Sequence, residues 1–171
     1  MNSERPKIKI PFQNIDLVIE LASIAVLLLM WIHLIMNYSG LPETVAFHFN
    51  GAGQPDDYSN KIFLWFLPIL ATVLYVGLLI LGRFPHLHNY MVNIIEENAL
   101  SQYRFSTRVL RVVNFLCAVM FAYINYKIIV GANNNASELG MGFVITVVSV
   151  SILLPVFIFL YQQKLKKQNN V

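Results

Sequence analysis

The sequence predicts an all-α membrane protein with four transmembrane helices, and composition and hydropathy patterning carry that prediction. The chain has 171 residues, of which 57% are hydrophobic and only 12% are charged, with a mean hydropathy of +0.59. Soluble domains carry about 25% charged residues. The apolar residues form four stretches, each near the ~20 residues that a helix needs to cross a bilayer: about 17–36, 62–82, 112–130 and 141–161.

Little of the chain remains outside these stretches. Backbone groups in lipid must be satisfied within the segment, so each stretch is predicted to be a helix. The segments between them are too short to bury a core of their own, and residues 1–171 are therefore predicted to form a single membrane domain. The first stretch exceeds the ~7–15 apolar residues of a signal peptide. It also contains Glu20, and both features favour an uncleaved first helix.

The distribution of lysine and arginine predicts the topology. Basic residues precede the first span, lie between the second and third, and follow the fourth: Arg5, Lys7, Lys9, Arg83, Arg104, Arg108, Arg111, Lys164, Lys166 and Lys167. Lys61 and Lys127 fall on the other side. By the positive-inside rule, both termini and the connection 83–111 are predicted to be cytoplasmic. The loops 37–61 and 131–140 are predicted to face outward.

The first outer loop contains a short segment with strand periodicity. Apolar and polar residues alternate from Thr44 to Asn50, which is typical of a short extended strand. The alternation predicts one face for Val45, Phe47 and Phe49 and the other for Thr44, Ala46, His48 and Asn50. Residues 51–57 are rich in Gly, Pro and Asp and are predicted to form turns.

This loop resembles a known family. The run LPETVAFHFNGAGQPDDYSNK, residues 41–61, resembles the signature of the N-terminal membrane domain of SdpI-type immunity proteins. Residues 88–104 of the following connection are similar to short stand-alone bacterial members of that family, whose function is unassigned. The resemblance implies a multi-pass protein of the bacterial cytoplasmic (inner) membrane. Its signature positions here are His48, Asn50, Gly53, Asp56 and Lys61.

Three roles are open for these loop residues. Their side chains structure the loop through hydrogen bonds, which is the leading interpretation. Alternatively, they bind a ligand such as a peptide. A metal site would combine His48 and Asp56 with His33 from the first span, but this spacing is not a recognised metal signature, so neither a metal nor a cofactor is predicted.

Three ionisable residues near or within the first span form a second candidate site. Asp16 and Glu20 are four residues apart and share one helix face, while His33 lies near the other end of the span. Ionisable side chains in a span usually face the bundle interior. Together the three residues would line a polar path. In the alternative, the two carboxylates simply reach water or pair with Lys9 or Arg111.

The connection 83–111 is predicted to include an amphipathic interfacial helix that runs into the third span. Glu96 and Glu97 suit the first turn of such a helix, since carboxylates there interact favourably with its macrodipole. The same segment is a candidate docking surface for a cytoplasmic regulator.

The function hypotheses follow from these features and do not include catalysis. We find no phosphate-binding glycine loop, nucleophile elbow, zinc-protease motif or basic stripe for nucleic acid. The leading hypothesis is an SdpI-like protein that senses or resists a membrane-active extracellular peptide through its first outer loop. The alternative is a small transporter or channel subunit that uses the intramembrane carboxylates. The expected partners are the lipid bilayer and either such an extracellular peptide or a cytoplasmic regulator. A homo-oligomer is also compatible with so small a bundle.

Overall fold

A computed structural model describes residues 5–134 and 137–168, and it consists mainly of four long helices. Helix α1 spans Asn14–Asn37, α2 Phe66–Leu81, α3 Glu96–Asn134 and α4 Met141–Gln168. Two strands, β1 (Thr44–Phe49) and β2 (Pro55–Asn60), lie between α1 and α2. All four helices are long and apolar enough to cross a membrane, α2 together with the 3-10 turn that precedes it. The predicted four-helix membrane class is confirmed.

The third helix is longer than the predicted span. It contains 39 residues, and Glu96 and Glu97 occupy its first turn as the sequence predicted. At its other end it continues to Asn134, so the predicted loop 131–140 begins too early. The reason is local packing, because Gly131 is buried and Ala132 packs against the hydrophobic core. Residues 135 and 136 of that loop lie outside the described residues.

Helix α3 is the centre of the fold, and it packs against both α1 and α2. Three buried clusters line its length. The first lies beside the two strands and contains Leu34, Leu41, Val45, Leu64, Ile128 and Ile129. The second, at mid-height, contains Leu27, Met30, Ala71, Tyr75 and Ala118. The third, around the start of α3, contains Ile94, Ala99 and Tyr103, with the N-terminal residues Ile8 and Ile10 packed against it.

Helix α4 lies at the periphery of the bundle. None of the residues in its most apolar segment is buried. Two stacked aromatic pairs join it to α3, Tyr123 with Phe143 and Phe105 with Tyr161, each with ring centroids 4.6 Å apart. Between these pairs the two helices enclose an apolar cavity of about 530 Å³. Such an exposed apolar helix fits a lipid environment, where apolar surface needs no protein cover.

The segment between α1 and α2 is a two-stranded antiparallel hairpin. Strand β1 coincides with the predicted extended segment, whereas β2 falls on residues that were partly predicted as turn. The predicted alternation of faces is also wrong in part, since Val45 and Ala46 are both buried and Phe47 is 51% exposed. The register is irregular after Ala46, with shifts between Ala46 and His48 and between His48 and Phe49, whereas Val45 and Ala46 pair regularly and are buried on opposite faces. Such irregularities turn side chains to the opposite face.

Substitution of Gly131 with alanine is expected to destabilise the protein. A Cβ at this position would lie 2.3 Å from Cα of Ser137, a backbone atom, so the connection after α3 must move. Overpacking of this kind costs roughly 1–3 kcal/mol. The measurement is the free energy of unfolding in detergent micelles. Gly142→Ala is the matched control, because it lies in α4 with nothing within 4 Å of its Cβ position. If Gly131→Ala were as stable as this control or more stable, the close contact between Gly131 and Ser137 would be contradicted.

Candidate functional site

The hairpin brings together the two signature residues with free polar surface. Nδ1 of His48 on β1 lies 2.5 Å from Oδ1 of Asp56 on β2. The side chains remain 67% and 42% exposed, respectively. Contacts between exposed polar side chains contribute little to stability, and even a fully charged pair contributes only about 0–1 kcal/mol. The pair is therefore available for contact with another molecule at small cost to the fold.

The turn between the strands is organised by Asn50 and Gly53. Oδ1 of Asn50 accepts hydrogen bonds from the backbone N–H groups of Ala52 and Gln54, at 2.9 and 3.1 Å. The backbone of Asn50 also pairs with Gln54 and Gly53. Gly53 has a φ of +78°, a left-handed conformation that favours glycine. Both residues thus have the loop-structuring role that was the leading interpretation.

Lys61 closes the base of the hairpin. Its Nζ donates to the carbonyl oxygen of Leu41 at 3.1 Å and lies 3.0 Å from Oε1 of Glu43. The ammonium group also lies over the ring of Tyr38, 5.4 Å from its centroid. The side chain is only 14% exposed. These contacts are consistent with the loop-structuring interpretation of Lys61.

The hairpin tip contacts the connection between α3 and α4, a contact that the sequence analysis did not anticipate. The backbone N–H of Leu139 donates to the carbonyl oxygen of Gly53 at 2.8 Å. A Cβ on Gly53 would lie 3.0 Å from the backbone nitrogen of Gly140, so only glycine fits here without a shift. The hydroxyl of Tyr123 donates to the carbonyl oxygen of Leu139 at 3.0 Å and anchors the connection to α3. Gly53 and Gly140 were the only features of the sequence that indicated this close contact between the hairpin tip and the α3–α4 connection.

A cavity of about 410 Å³ lies between the hairpin and this connection. Its volume falls within the roughly 300–1,000 Å³ of small-molecule sites. Backbone and side chains of both strands and of the α3–α4 connection line it: Pro42, Thr44, Val45, Ala46, Pro55, Tyr58, Gly131, Ala132, Ser137 and Glu138. The cavity and the His48–Asp56 pair make the hairpin surface the first candidate site.

The metal set that was weighed for this loop is not assembled. Nδ1 of His33 is buried and lacks a hydrogen-bond partner among the described residues. Its ring packs instead against Tyr126, with centroids 5.2 Å apart. Within residues 5–134 and 137–168, no group of three or more His, Cys, Asp or Glu residues is placed to hold a metal ion.

A second polar cluster lies at the other end of α1, where its carboxylates meet α3. Oδ1 of Asp16 accepts from Nε of Arg108 at 3.0 Å, and Nη1 of Arg111 lies 3.6 Å away. Oε1 of Glu20 accepts from Nε of Arg111 at 3.1 Å. The second oxygen of Glu20 accepts from the hydroxyl of Tyr75 on α2 at 2.8 Å. Two carboxylates are thus balanced by two guanidinium groups, and the cluster joins three helices.

The structure does not bring His33 together with these carboxylates. Glu20 and His33 are separated by about 20 Å along α1, at 1.5 Å per residue. The mid-height cluster of buried apolar side chains, with Leu27, Met30 and Ala118, lies between them. The polar path that these three residues would line stays a prediction.

Sequence reasoning missed part of the cluster. Of the two basic partners that were named for the carboxylates, Arg111 is one, whereas Lys9 is not among the pairs that the described residues form. Arg108 was missed as the main partner of Asp16. A signal was present, because Arg108 and Arg111 are three residues apart and share a face of α3, as Asp16 and Glu20 do on α1.

Comparison with known proteins gives a match around the hairpin. Residues 25–72 match a domain of unknown function, DUF1648. The matched segment runs from the middle of α1 through both strands into α2 and includes all five signature residues. An uncharacterised protein of Archaeoglobus fulgidus is 34% identical over 64 residues, which are 36% of this chain. The alignment spans about a third of that protein, 35% of its length. No solved structure matches the chain.

The two matches are to a domain of unknown function and to an uncharacterised relative. Neither of them names the SdpI-type family or an immunity function. The resemblance to SdpI-type proteins therefore stays a prediction. What the match does show is that the similarity to other proteins is found where the hairpin lies, between the first and second spanning helices.

Proposed function

We propose that the protein is a non-enzymatic, SdpI-like recognition protein that binds a membrane-active extracellular peptide at its hairpin. The observation that carries the proposal is that the five signature residues fall into two groups, which differ in the contacts they make. Asn50, Gly53 and Lys61 are occupied by contacts within the loop. His48 and Asp56 form an exposed pair instead. A hairpin held so firmly presents that pair on a defined surface, and a preorganised surface loses less entropy on binding.

The chemistry of this surface favours a cationic, partly apolar peptide. Phe47 and Tyr58 are 51% and 57% exposed, and exposed aromatic side chains are enriched at binding surfaces. Glu138 lines the cavity, and Asp56 and Asp57 lie on β2 of the hairpin, whereas Lys61 is paired with Glu43. Complementary charge steers a cationic partner to such a surface. The positive-inside rule places the hairpin outside the cytoplasm in a bacterial inner membrane, where an extracellular peptide would meet it.

The contacts of the hairpin offer a route by which binding would reach the helices. Val45 is buried in the core cluster with Leu34 of α1 and Ile128 of α3. The tip is bonded to the connection that leads into α4. A ligand that shifts the hairpin would therefore shift the packing of α1, α3 and the loosely attached α4.

The test is survival of a sensitive bacterial host that expresses the full chain and is challenged with a panel of cationic membrane-active peptides. We expect the wild-type protein to raise the inhibitory concentration of at least one peptide. His48→Ala and Asp56→Asn, matched for membrane level, are expected to remove most of that protection, because the first removes the exposed pair and the second removes its negative charge. His86→Ala is the matched control, since it removes a histidine from the opposite end of α2.

Three outcomes would contradict the proposal. In one, the empty vector protects as well as the wild-type chain against every peptide. In another, His48→Ala protects as well as wild type while binding of a labelled peptide to the purified protein is unchanged. A loss of protection in His86→Ala equal to that in His48→Ala would also count against recognition by the hairpin.

A further inference from the structure

A two-part cleft lies at the N-terminal end of the bundle, opposite the hairpin. One part, about 270 Å³, lies beside the N-terminal segment that precedes α1. The other, about 390 Å³, continues between α1, α2 and α3. The two parts share walls formed by Phe12, Gly82, Arg83, Thr107 and Arg111. We call the whole the inner cleft.

The outer part of the inner cleft is lined by two basic residues that have no ion-pair partner among residues 5–134 and 137–168. Arg111 is neutralised by Asp16 and Glu20, as described above, and Arg108 completes that balanced cluster. Lys9 and Arg83 also line the cleft, and neither forms an ion pair with a carboxylate of residues 5–134 or 137–168. Lys9 belongs to the N-terminal segment and Arg83 to the segment that follows α2, and both line the same part of the cleft. An anionic group is the complement that this arrangement lacks.

The wall of the deeper part of the inner cleft combines polar side chains, among them Glu20, Thr107 and Asn114, with apolar ones. Ile24 of α1, Leu78 and Leu79 of α2, and Leu110 of α3 line it. These residues lie within helices that are long and apolar enough to span the membrane. A ligand that fills both parts therefore needs an anionic head and an apolar chain, and it must reach the site from the bilayer.

We propose that the inner cleft binds an anionic phospholipid of the surrounding leaflet. Its phosphate is held between Lys9 and Arg83, and one acyl chain lies along Ile24, Leu78 and Leu79. Basic pockets between spanning helices are a recognised mode of binding for anionic headgroups. The lipid would also join Lys9 of the N-terminal segment to Arg83, which follows α2. The balanced cluster around Asp16 contains neither of these two residues. The hairpin surface plays no part in this site.

The experiment measures lipid retention by native mass spectrometry of the full chain. The protein is delipidated in detergent and then titrated with phosphatidylglycerol or with phosphatidylcholine of the same acyl chains. We expect one phosphatidylglycerol per chain, retained about tenfold more strongly than phosphatidylcholine. Lys9→Gln combined with Arg83→Gln is expected to weaken this retention tenfold or more, since each basic group near the headgroup contributes about 1 kcal/mol.

Two further variants separate the site from general charge effects. Lys164→Gln combined with Lys166→Gln removes the same charge from exposed positions at the end of α4 and is expected to leave retention unchanged. Gly82→Leu adds no charge but narrows the junction of the two parts. Gly82 has an ordinary helical φ of −60°, so the substitution is tolerated by the backbone while lipid retention is expected to fall.

Several outcomes would overturn the proposal. These are equal retention of the two phospholipids, equal losses in the Lys9/Arg83 and Lys164/Lys166 variants, or full retention in Gly82→Leu. Inorganic phosphate and glycerol phosphate serve as soluble probes of the same chemistry. If either displaces phosphatidylglycerol at low millimolar concentration, the site takes a free phosphate and the lipid assignment is wrong.

Discussion

Replacement of Asp16 with alanine is expected to lower the free energy of unfolding of the detergent-solubilised protein by about 3–5 kcal/mol. Asp16 is only 3% exposed and interacts with both Arg108 and Arg111. Its second oxygen accepts from the backbone N–H of Gln13 at 3.0 Å and so caps the start of α1. Without the carboxylate of Asp16, the cluster contains the guanidinium groups of Arg108 and Arg111 but only one carboxylate, that of Glu20. Denaturant unfolding followed by circular dichroism would measure the loss.

Asp57→Ala is the matched control for this prediction. Asp57 is exposed on β2, and its carboxylate accepts only the N–H of its neighbour Tyr58 within the described residues. Surface substitutions of this type usually change stability by less than about 0.5 kcal/mol. Equal losses for the two alanine variants would show that the cluster around Asp16 does not stabilise the bundle. A double variant that also replaces Arg108 with leucine is expected to lose less than the sum of the single losses.

Tyr103→Ala is expected to cost a similar amount, about 3–5 kcal/mol, because it removes a large side chain that is completely buried. Tyr103 packs with Ile94 and Ala99, and its hydroxyl donates to the carbonyl oxygen of Pro6 at 3.0 Å. Its loss should release the N-terminal segment from the start of α3. The measurement combines unfolding in detergent with the rate of trypsin cleavage after Lys7 and Lys9.

Tyr103→Phe keeps the ring and removes only the hydroxyl. We expect it to cost about 1 kcal/mol and to leave cleavage slow. The neighbouring Tyr90 supports the same cluster, with ring centroids 5.6 Å apart. Burial raises the pKa of Tyr90 to about 12, so its hydroxyl stays protonated near neutral pH and donates to the carbonyl oxygen of Pro85. Rapid cleavage in Tyr103→Phe, or slow cleavage in Tyr103→Ala, would contradict this account of how the N-terminal segment is held.

The hairpin shows how far local sequence reasoning reaches. The alternation around His48 predicted β1 because a strand's periodicity is visible in a few consecutive residues. Strand β2 was missed, since Pro55, Asp56 and Asp57 have low strand propensity and read as a turn. Pairing with β1 overrides that preference, and Pro55 is tolerated at the first position of an edge strand. The contact of His48 with Asp56 depends on this pairing, so it could not be derived from either segment alone.

The charged cluster of α1 and α3 likewise depends on contacts between segments that are distant in the sequence. The spacing of Asp16 and Glu20 identified a polar face on α1, because helical periodicity is local. The choice between Lys9, Arg108 and Arg111 as partners depends on the rotation and depth at which α3 meets α1. Those quantities arise from packing over the whole bundle, which places Arg108 on Asp16 and leaves Lys9 in the inner cleft.

The sequence alone determined that this chain has four helices long and apolar enough to span a membrane, an extended segment after the first of them and an acidic start to the third. Each is a property of neighbouring residues: the length of an apolar run, a period of two, the charges of a first turn. The tertiary structure decided which residues meet. It made α3 the central helix, left α4 at the edge, and joined the hairpin tip to the α3–α4 connection. Contacts between distant segments depend on how helix faces fit together, and no single stretch of sequence contains that information.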